Sequence, residues 1–287
     1  MISRATQQLF ADVFHRTELF SATHPIHRRH VAWGGERRVL PHEAVVADES
    51  TLLDLLPPIA SAEGPADWTI HAAKPLPSGV SDTSFGDRTA HAAAVELRPG
   101  SDCHACTIES VDAGWLFLMP QTRSSAWLLT VGGDAESLLG KSRFIVPDIA
   151  RITSAGAQFA SHPRIAWPLC GARWLACGSG ALAFDPICGD GSGNAIREAI
   201  LAAAVVRAAH DNKDEGQLRQ HYRTRLLAGF ERHLQVCAEF YRLGGQTDWW
   251  RAQLSAADAG IAWCRNQLGA DVRYAYRLNG FDLERVS

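Results

Sequence analysis

No apolar run in this chain approaches the roughly 20 residues a membrane-crossing helix needs. The opening stretch, Met1-Ile-Ser-Arg-Ala-Thr-Gln-Gln-Leu-Phe10, has no signal-peptide apolar block. A cytoplasmic protein is therefore expected. Charge of one sign is also lacking: the formal net charge is −3, which argues against nucleic acid or an anionic membrane as the main partner. Internal repeats and low-complexity segments are absent. There is no G-x-S-x-G elbow, no Walker lysine loop and no H-E-x-x-H, so none of the reactions built on them is indicated. Metal ligands at suitable spacing are missing too. Cys103 and Cys106 form a C-x-x-C with no second pair of ligands, and on a strand they would face opposite ways. His24, His27 and His30 recur at intervals of three, but no carboxylates gather around them at ligand spacing, and no metal is expected. The seven cysteines, odd in number and scattered, read as reduced, mostly buried thiols.

What the chain does have is material for a core. It has 287 residues, 46% of them hydrophobic and 21% charged, enough for one large or two small domains of an ordinary globular protein. Residues 3–14 predict a helix, with Leu9, Phe10, Val13 and Phe14 on one side. His27–Gly34 predicts a strand ending at a Gly-Gly turn. Asp48–Leu56 predicts a short helix stopped by Pro57-Pro58. Residues 59–87 are mostly loop, with one strand over Asp67–Ala72. Four strands follow at Thr89–Leu97, Cys103–Val111, Gly114–Met119 and Ala126–Val131. The breaks between them are short enough for an antiparallel sheet. Helical fragments are expected over 134–160, then a strand pair, Ile165–Leu169 with Arg173–Cys177, around Gly171.

The last third reads as helical. Gly193–Ala209 is alanine-rich with few charges and should be buried on most sides. Leu218, Tyr222, Leu226, Phe230, Leu234, Cys237 and Tyr241 recur at spacings of three and four, which makes an apolar stripe on one helix. Trp250, Leu254, Ala257, Ile261, Cys264 and Leu268 make another. Gly244-Gly245 between them predicts antiparallel neighbours. Val272–Leu283 predicts a returning strand.

The stretch from Trp174 to Gly193, Trp-Leu-Ala-Cys-Gly-Ser-Gly-Ala-Leu-Ala-Phe-Asp-Pro-Ile-Cys-Gly-Asp-Gly-Ser-Gly, carries the most information. It reads as an apolar strand, a glycine-rich turn and the start of a long helix. Such an arrangement offers free backbone N–H groups and a positive helix end to an anionic or electron-rich ligand. Pro186 suits a rigid corner, and Gly189, Gly191 and Gly193 permit close backbone approach. On pattern alone, a plain connection between strand and helix fits equally well.

This stretch resembles the second flavin-contacting motif of FAD-dependent monooxygenases and halogenases. The matching residues are Gly178, Ala181, Asp185, Pro186, Gly189 and Gly191. Ser179 stands where that family has an Asp bonded to the flavin ribityl chain. Gly114-Trp-Leu-Phe-Leu-Met-Pro120 resembles the family's strand on the substrate side of the flavin, with Phe117 and Met119 departing from the halogenase pattern. Packing on a sheet face is the other use of Trp115 and Phe117. The match before residue 90 is looser: Glu49 replaces an Arg, His71 an Asp, and Phe85-Gly-Asp-Arg88 fits the following segment. The opening G-x-G-x-x-G of the family, which brings the FAD diphosphate to a helix N-terminus, occurs nowhere in this chain.

The resemblance implies an α/β (α+β) fold with an incomplete nucleotide-binding layer (1–84 and 163–212), an antiparallel substrate sheet (85–162) and a helical C-terminal region (213–287). It implies FAD as cofactor, held by Gly178, Ser179, Asp185, Pro186, Gly189 and Gly191, with Trp115 and Phe117 on the substrate side. The activity implied is flavin-dependent oxidation of an electron-rich aromatic, either a small molecule or a Trp of a partner protein, as in the subgroup that matures tryptophylquinone enzymes. The alternative is a non-catalytic or truncated remnant acting as a partner-binding subunit. Without the family's first strand, the strand ending at Gly178 would keep an open apolar edge. A partner chain filling it, a rearranged sheet and a truncated gene product each account for that.

Overall fold

The computed structural model describes residues 1–55, 64, 66–269 and 274–286. In chain order the elements begin with β1 (Ile2–Ser3), α1 (Arg4–Phe14), β2 (His24–Trp33), β3 (Glu36–Val46) and α2 (Glu49–Leu55). Next come β4 (Thr69–His71), β5 (Ser81–Ser84), β6 (Thr89–Leu97), β7 (Ala105–Val111), β8 (Gly114–Pro120) and β9 (Ser125–Val131). Then follow α3 (Ala135–Leu139), β10 (Ile149–Ala160), β11 (Arg164–Trp167), β12 (Cys170–Gly171), β13 (Trp174–Ala176), α4 (Gly178–Ala181) and β14 (Leu182–Ala183). The chain finishes with α5 (Gly191–His210), α6 (Glu215–Gly244), α7 (Asp248–Leu268), β15 (Tyr276–Asn279) and β16 (Asp282–Arg285). No helix among the described residues is long and apolar enough to cross a membrane.

Two compact units emerge. The first comprises Met1–Pro58, Gly86–Ser161 and Ala238–Ser255. Its frame is an eight-stranded sheet in the order β1-β3-β2-β7-β8-β9-β6-β10. β8 is apolar throughout, and its side chains point alternately to the two faces of the sheet, so Leu116 and Leu118 join a core with Val95, Leu128, Leu138 and Ile145. Phe117 and Met119 face the other way, onto Ile26, Ala44, Val46 and Cys106. That alternation is the two-residue period of a strand. The four strands expected between 89 and 131 are all present and mutually antiparallel where they pair. The strand His24–Trp33, grouped above with the nucleotide-binding layer, runs parallel to β7 in this same sheet.

One expectation is overturned here. Only α3 and a short 3-10 turn, Val146–Asp148, are helical between 134 and 160; from Ile149 the chain is a 12-residue strand. Its outward residues are exposed, so no apolar alternation marks it in the sequence.

The second unit comprises Ile59–Phe85, His162–Cys237 and Ala256–Ser287. It holds two three-stranded sheets, β14-β11-β5 and β12-β13-β4. The strand pair expected around Gly171 is corrected: β12, not Ile165–Leu169, pairs with β13, while β11 lies in the other sheet between β5 and β14. The sheet around β13 is also closed differently from the expected open edge. β4 pairs parallel to β13 on one side and β12 antiparallel on the other, so the edge strands of this sheet are β4 and β12. α5 and α6 appear as expected, and all seven residues of the α6 stripe are buried. The tail is a hairpin of β15 and β16 rather than one strand. Pro57-Pro58 and Val272 lie outside the described residues.

Candidate functional site

The second unit brings the six glycine-turn residues into one continuous corner. β13 ends at Ala176, and Gly178 begins the single turn α4. The segment after β4 extends the sheet contacts to this turn: Cys177 N–H donates to the His71 carbonyl (3.0 Å) and Gly180 N–H to the Ala72 carbonyl (2.9 Å). Gly180 is glycine for want of room, since a Cβ there would lie 2.7 Å from the His71 carbonyl oxygen. Ser179 donates its hydroxyl to the Ala72 carbonyl at 3.2 Å. Its own carbonyl accepts from Arg164, which also holds Asp82.

Asp185 is buried. Its carboxylate accepts the Ile187 N–H at 3.0 Å, capping the 3-10 turn Pro186–Cys188. Gly189 then turns with φ of 65°, a left-handed conformation that favours glycine. α5 starts at Gly191, where its cap residue Asp190 gives no side-chain bond to the helix end and instead pairs with Arg197 at 2.8 Å. Among the described residues, no side chain takes the N–H groups of Gly191, Ser192 or Gly193. No acidic residue lies in the first turn. A Cβ at Gly191 would meet nothing within 4 Å. Among the described residues, the helix therefore presents open donors and its positive end where a Cβ at Gly191 has nothing within 4 Å.

Several residues at this corner escape sequence reasoning. Glu198 on α5 is buried, and one carboxyl oxygen accepts the Gly178 N–H at 2.7 Å. The other has no partner among the described residues. Burial pushes this carboxyl up to about 8 against the pull of that N–H, so at neutral pH it is protonated. The signal available was its place as the mid-helix acid in an otherwise apolar stretch. Tyr222 of α6 donates to the Ala176 carbonyl at 2.6 Å, anchoring β13 from below. His233, also on α6, accepts the Asp185 N–H at 2.9 Å.

Trp115 and Phe117 belong to the first unit and were expected on a substrate side. Trp115 is 1% exposed, packed beside Trp33 with ring centroids 6.5 Å apart. Its indole N–H has no partner among the described residues. Phe117 packs on the cluster around Ile26. A cleft of about 400 Å³ in this unit is lined by Gly34, Ser110, Glu109, Lys141, Arg143 and Phe144, among others, and by neither of those aromatics. The buried Glu109 organises its rim: its carboxylate accepts Ser142 Oγ (2.6 Å) and the N–H groups of Arg143 (2.7 Å), Phe144 (3.1 Å) and Ile145 (3.0 Å). Two groups of donor atoms of metal-ligating type also occur, His24 with Cys103 and His104, and Cys188 with His233 and Cys237. In the first, His24 and His104 each use a ring nitrogen on a backbone carbonyl.

This architecture is the fold of FAD-dependent halogenases and monooxygenases. Among solved structures it is similar to the peptidyl tryptophan dihydroxylase QhpG, essential for tryptophylquinone cofactor biogenesis. That likeness has a TM-score of 0.70 at 17% identity and covers 99% of this chain and 77% of that one. The flavin-dependent halogenase CmlS matches with a TM-score of 0.71 at 14% identity, covering 92% of this chain and 62% of CmlS. The flavin-dependent monooxygenase PieE, solved with FAD and substrate, matches with a TM-score of 0.58 at 11% identity, over 92% and 64% of the two chains. No protein-family model and no curated protein matches the chain.

Proposed function

We propose that this chain is a flavin-dependent oxidoreductase whose Asp185–Gly193 corner holds the ring end of FAD. The observation that carries the reading is the start of α5: three uncommitted N–H groups, no acidic residue in the first turn, and open space at Gly191. Those features suit a flat, electron-rich ring that becomes anionic on reduction. Asp185, Pro186 and Gly189 fix the corner, and Gly191 leaves room for the ring. The ring end of the group therefore fits. For the diphosphate end the chain offers no G-x-G-x-x-G.

Bound and reduced, a flavin supplies the activation of O₂, and the protein supplies position and field. The fold neighbours act on, or are named for, halogenation, monooxygenation and peptidyl tryptophan dihydroxylation. An electron-rich aromatic substrate is the reading they support, and a Trp of a partner protein is one form of it.

A second reading, a partner-binding subunit without catalysis, is favoured by a specific observation. Gly178 N–H and Ser179 Oγ are already spent on Glu198 and the Ala72 carbonyl. In that reading a partner chain would pair along the outer edge of β4.

The experiment is a visible absorbance spectrum of the purified chain before and after incubation with FAD, or with FMN, followed by desalting. Retained flavin supports the enzyme, and equal retention of the two supports binding by the ring end. A folded sample that retains neither removes the first reading and leaves the second.

A further inference from the structure

Cys188 lies in the capped turn after Pro186, and Cys237 lies on α6 four residues from His233. Four residues apart on a helix means the same face, so His233 and Cys237 approach the turn together. The Cys188 and Cys237 sulfurs are 3.7 Å apart. Among the described residues this is the one thiol pair in contact, and all seven cysteines are thiols. Cys188 is half-buried and Cys237 is fully buried behind it. Cys237 Sγ is also 3.3 Å from His233 Nε2.

That Nε2 receives the Asp185 N–H at 2.9 Å. An imidazole nitrogen that accepts a proton has its lone pair engaged, so His233 cannot ligate a cation there without giving up the backbone contact. Two thiols in van der Waals contact, one on a half-buried residue and one on a buried residue, remain as the reactive feature. Their electrostatics are selective. The bond from Cys237 brings the Cys188 thiol below the ordinary range despite its burial. Burial instead pushes Cys177 up to about 11 and Cys264 up to about 12, and it also raises Cys106 and Cys170. The thiolate is the nucleophile, so Cys188 is set apart from these four.

We propose that Cys188 and Cys237 form a dithiol site for hydroperoxides, in which Cys188 is oxidised first and Cys237 then closes a disulfide. The Cys188 thiolate attacks one peroxide oxygen, an S–O bond forms, the O–O bond breaks, and the departing hydroxide or alkoxide takes a proton. Cys237 sulfur then attacks the Cys188 sulfenic sulfur. The S–S bond forms, the S–O bond breaks, and hydroxide leaves with the Cys237 proton as water. Two thiols lose two electrons, and hydrogen peroxide becomes two waters. Closing requires the sulfurs to move from 3.7 Å to about 2.05 Å, which would tie the Asp185–Gly189 corner to α6. The proposal stands whether or not a flavin binds.

The test uses the full-length chain, reduced, desalted and titrated with hydrogen peroxide, then alkylated and digested without reductant. The expected result is a fall from seven alkylatable thiols to five, with one linked peptide pair joining Cys188 to Cys237. Cys188 should react roughly tenfold faster than the slower thiols. Cys237→Ser should stop at a sulfenic acid on Cys188 that dimedone traps. Cys188→Ser and Cys188→Ala should form no linked pair. Seven alkylatable thiols after peroxide, a linkage between other cysteines, or stoichiometric zinc in the purified protein that blocks both thiols would each overturn the proposal.

Discussion

Gly191→Val separates the proposed site from the fold. Gly191 is exposed at the first turn of α5, and a Cβ there meets nothing within 4 Å. The fold should therefore accept a side chain, and Gly191→Ala should be neutral or stabilising by up to about 1 kcal/mol, the usual helix penalty of glycine. Gly180 is the control. Its Cβ would lie 2.7 Å from the His71 oxygen and 3.2 Å from the Ala72 carbonyl carbon, both backbone. Overpacking against atoms that cannot turn aside costs about 1–3 kcal/mol, so Gly180→Ala should lower the melting temperature. If a flavin ring lies against the α5 end, the valine methyls displace it from the N–H groups. One hydrogen bond to a charged group contributes about 1.5–3 kcal/mol, which corresponds to roughly ten- to a hundredfold in affinity. The loss should be larger for the anionic reduced ring, so the midpoint potential should fall by about 30 mV or more, since 30 mV is about 1.4 kcal/mol for two electrons. The assays are thermal melts of the three variants, flavin fluorescence titration and a dye-equilibrated potential. A folded Gly191→Val that binds flavin with unchanged affinity and potential would refute the placement of the ring at α5.

Glu198 gives a pH signature. Its folded value of about 8 lies above the ordinary 4.3 or so, so the native state holds an extra proton between those limits. Its stabilising effect is complete below pH 4 and is lost as pH rises towards 8, by roughly 3–5 kcal/mol. Glu198→Gln cannot ionise, and its stability relative to the parent should rise by that amount between pH 4.5 and 8.5 in urea titrations; parallel curves would contradict it. His221 works in the opposite direction. It is buried with neither ring nitrogen bonded among the described residues, and burial lowers it to about 4. The native state then resists protonation that the unfolded chain accepts below about 6.5, and stability falls with acid. His221→Leu should gain about 2 kcal/mol over the parent between pH 7 and 5; an unchanged difference would count against it. Glu109→Ala leaves the Ser142 hydroxyl and the Arg143 and Phe144 N–H groups without their acceptor, while the Ile145 N–H keeps Ser142 Oγ, and a loss of about 3–5 kcal/mol is expected on unfolding in urea. A loss under about 1 kcal/mol would show that water replaces the carboxylate.

The parts of this fold legible in the sequence are those with an apolar pattern set off by turn residues. β6 to β9 are short runs bounded by turns such as Pro99-Gly100 and Asp112-Ala113, with β8 apolar throughout, and α6 carries its stripe without interruption. β3 escaped reading because it opens with Glu-Arg-Arg, carries Pro41 and is exposed over its first half. β10 escaped because alanine, glycine and serine on an exposed edge give no period. At the corner, the glycine turn was legible because its residue types are dictated by backbone shape. Glu198, His233 and Cys237 were not, since their roles depend on contacts with residues 20 to 49 positions away. Trp115 shows the converse: a residue type suggestive of a site, enclosed as packing.

The edge strand β10 of the large sheet bears on how readily another chain could add to that sheet. β10 offers 12 residues of backbone with Arg151 as its one charge, a template on which another chain could extend. Its pairing with β6 slips register at three places, after Ile149, Ile152 and Ala155. Each slip breaks the regular spacing of outward-facing donors and acceptors. A straight strand from another molecule can match only a few rungs before falling out of step. Irregularity thus does here what a row of lysines does elsewhere. A variant ironed flat by deleting the extra residues would be expected to gain local order and to aggregate more readily than the parent chain.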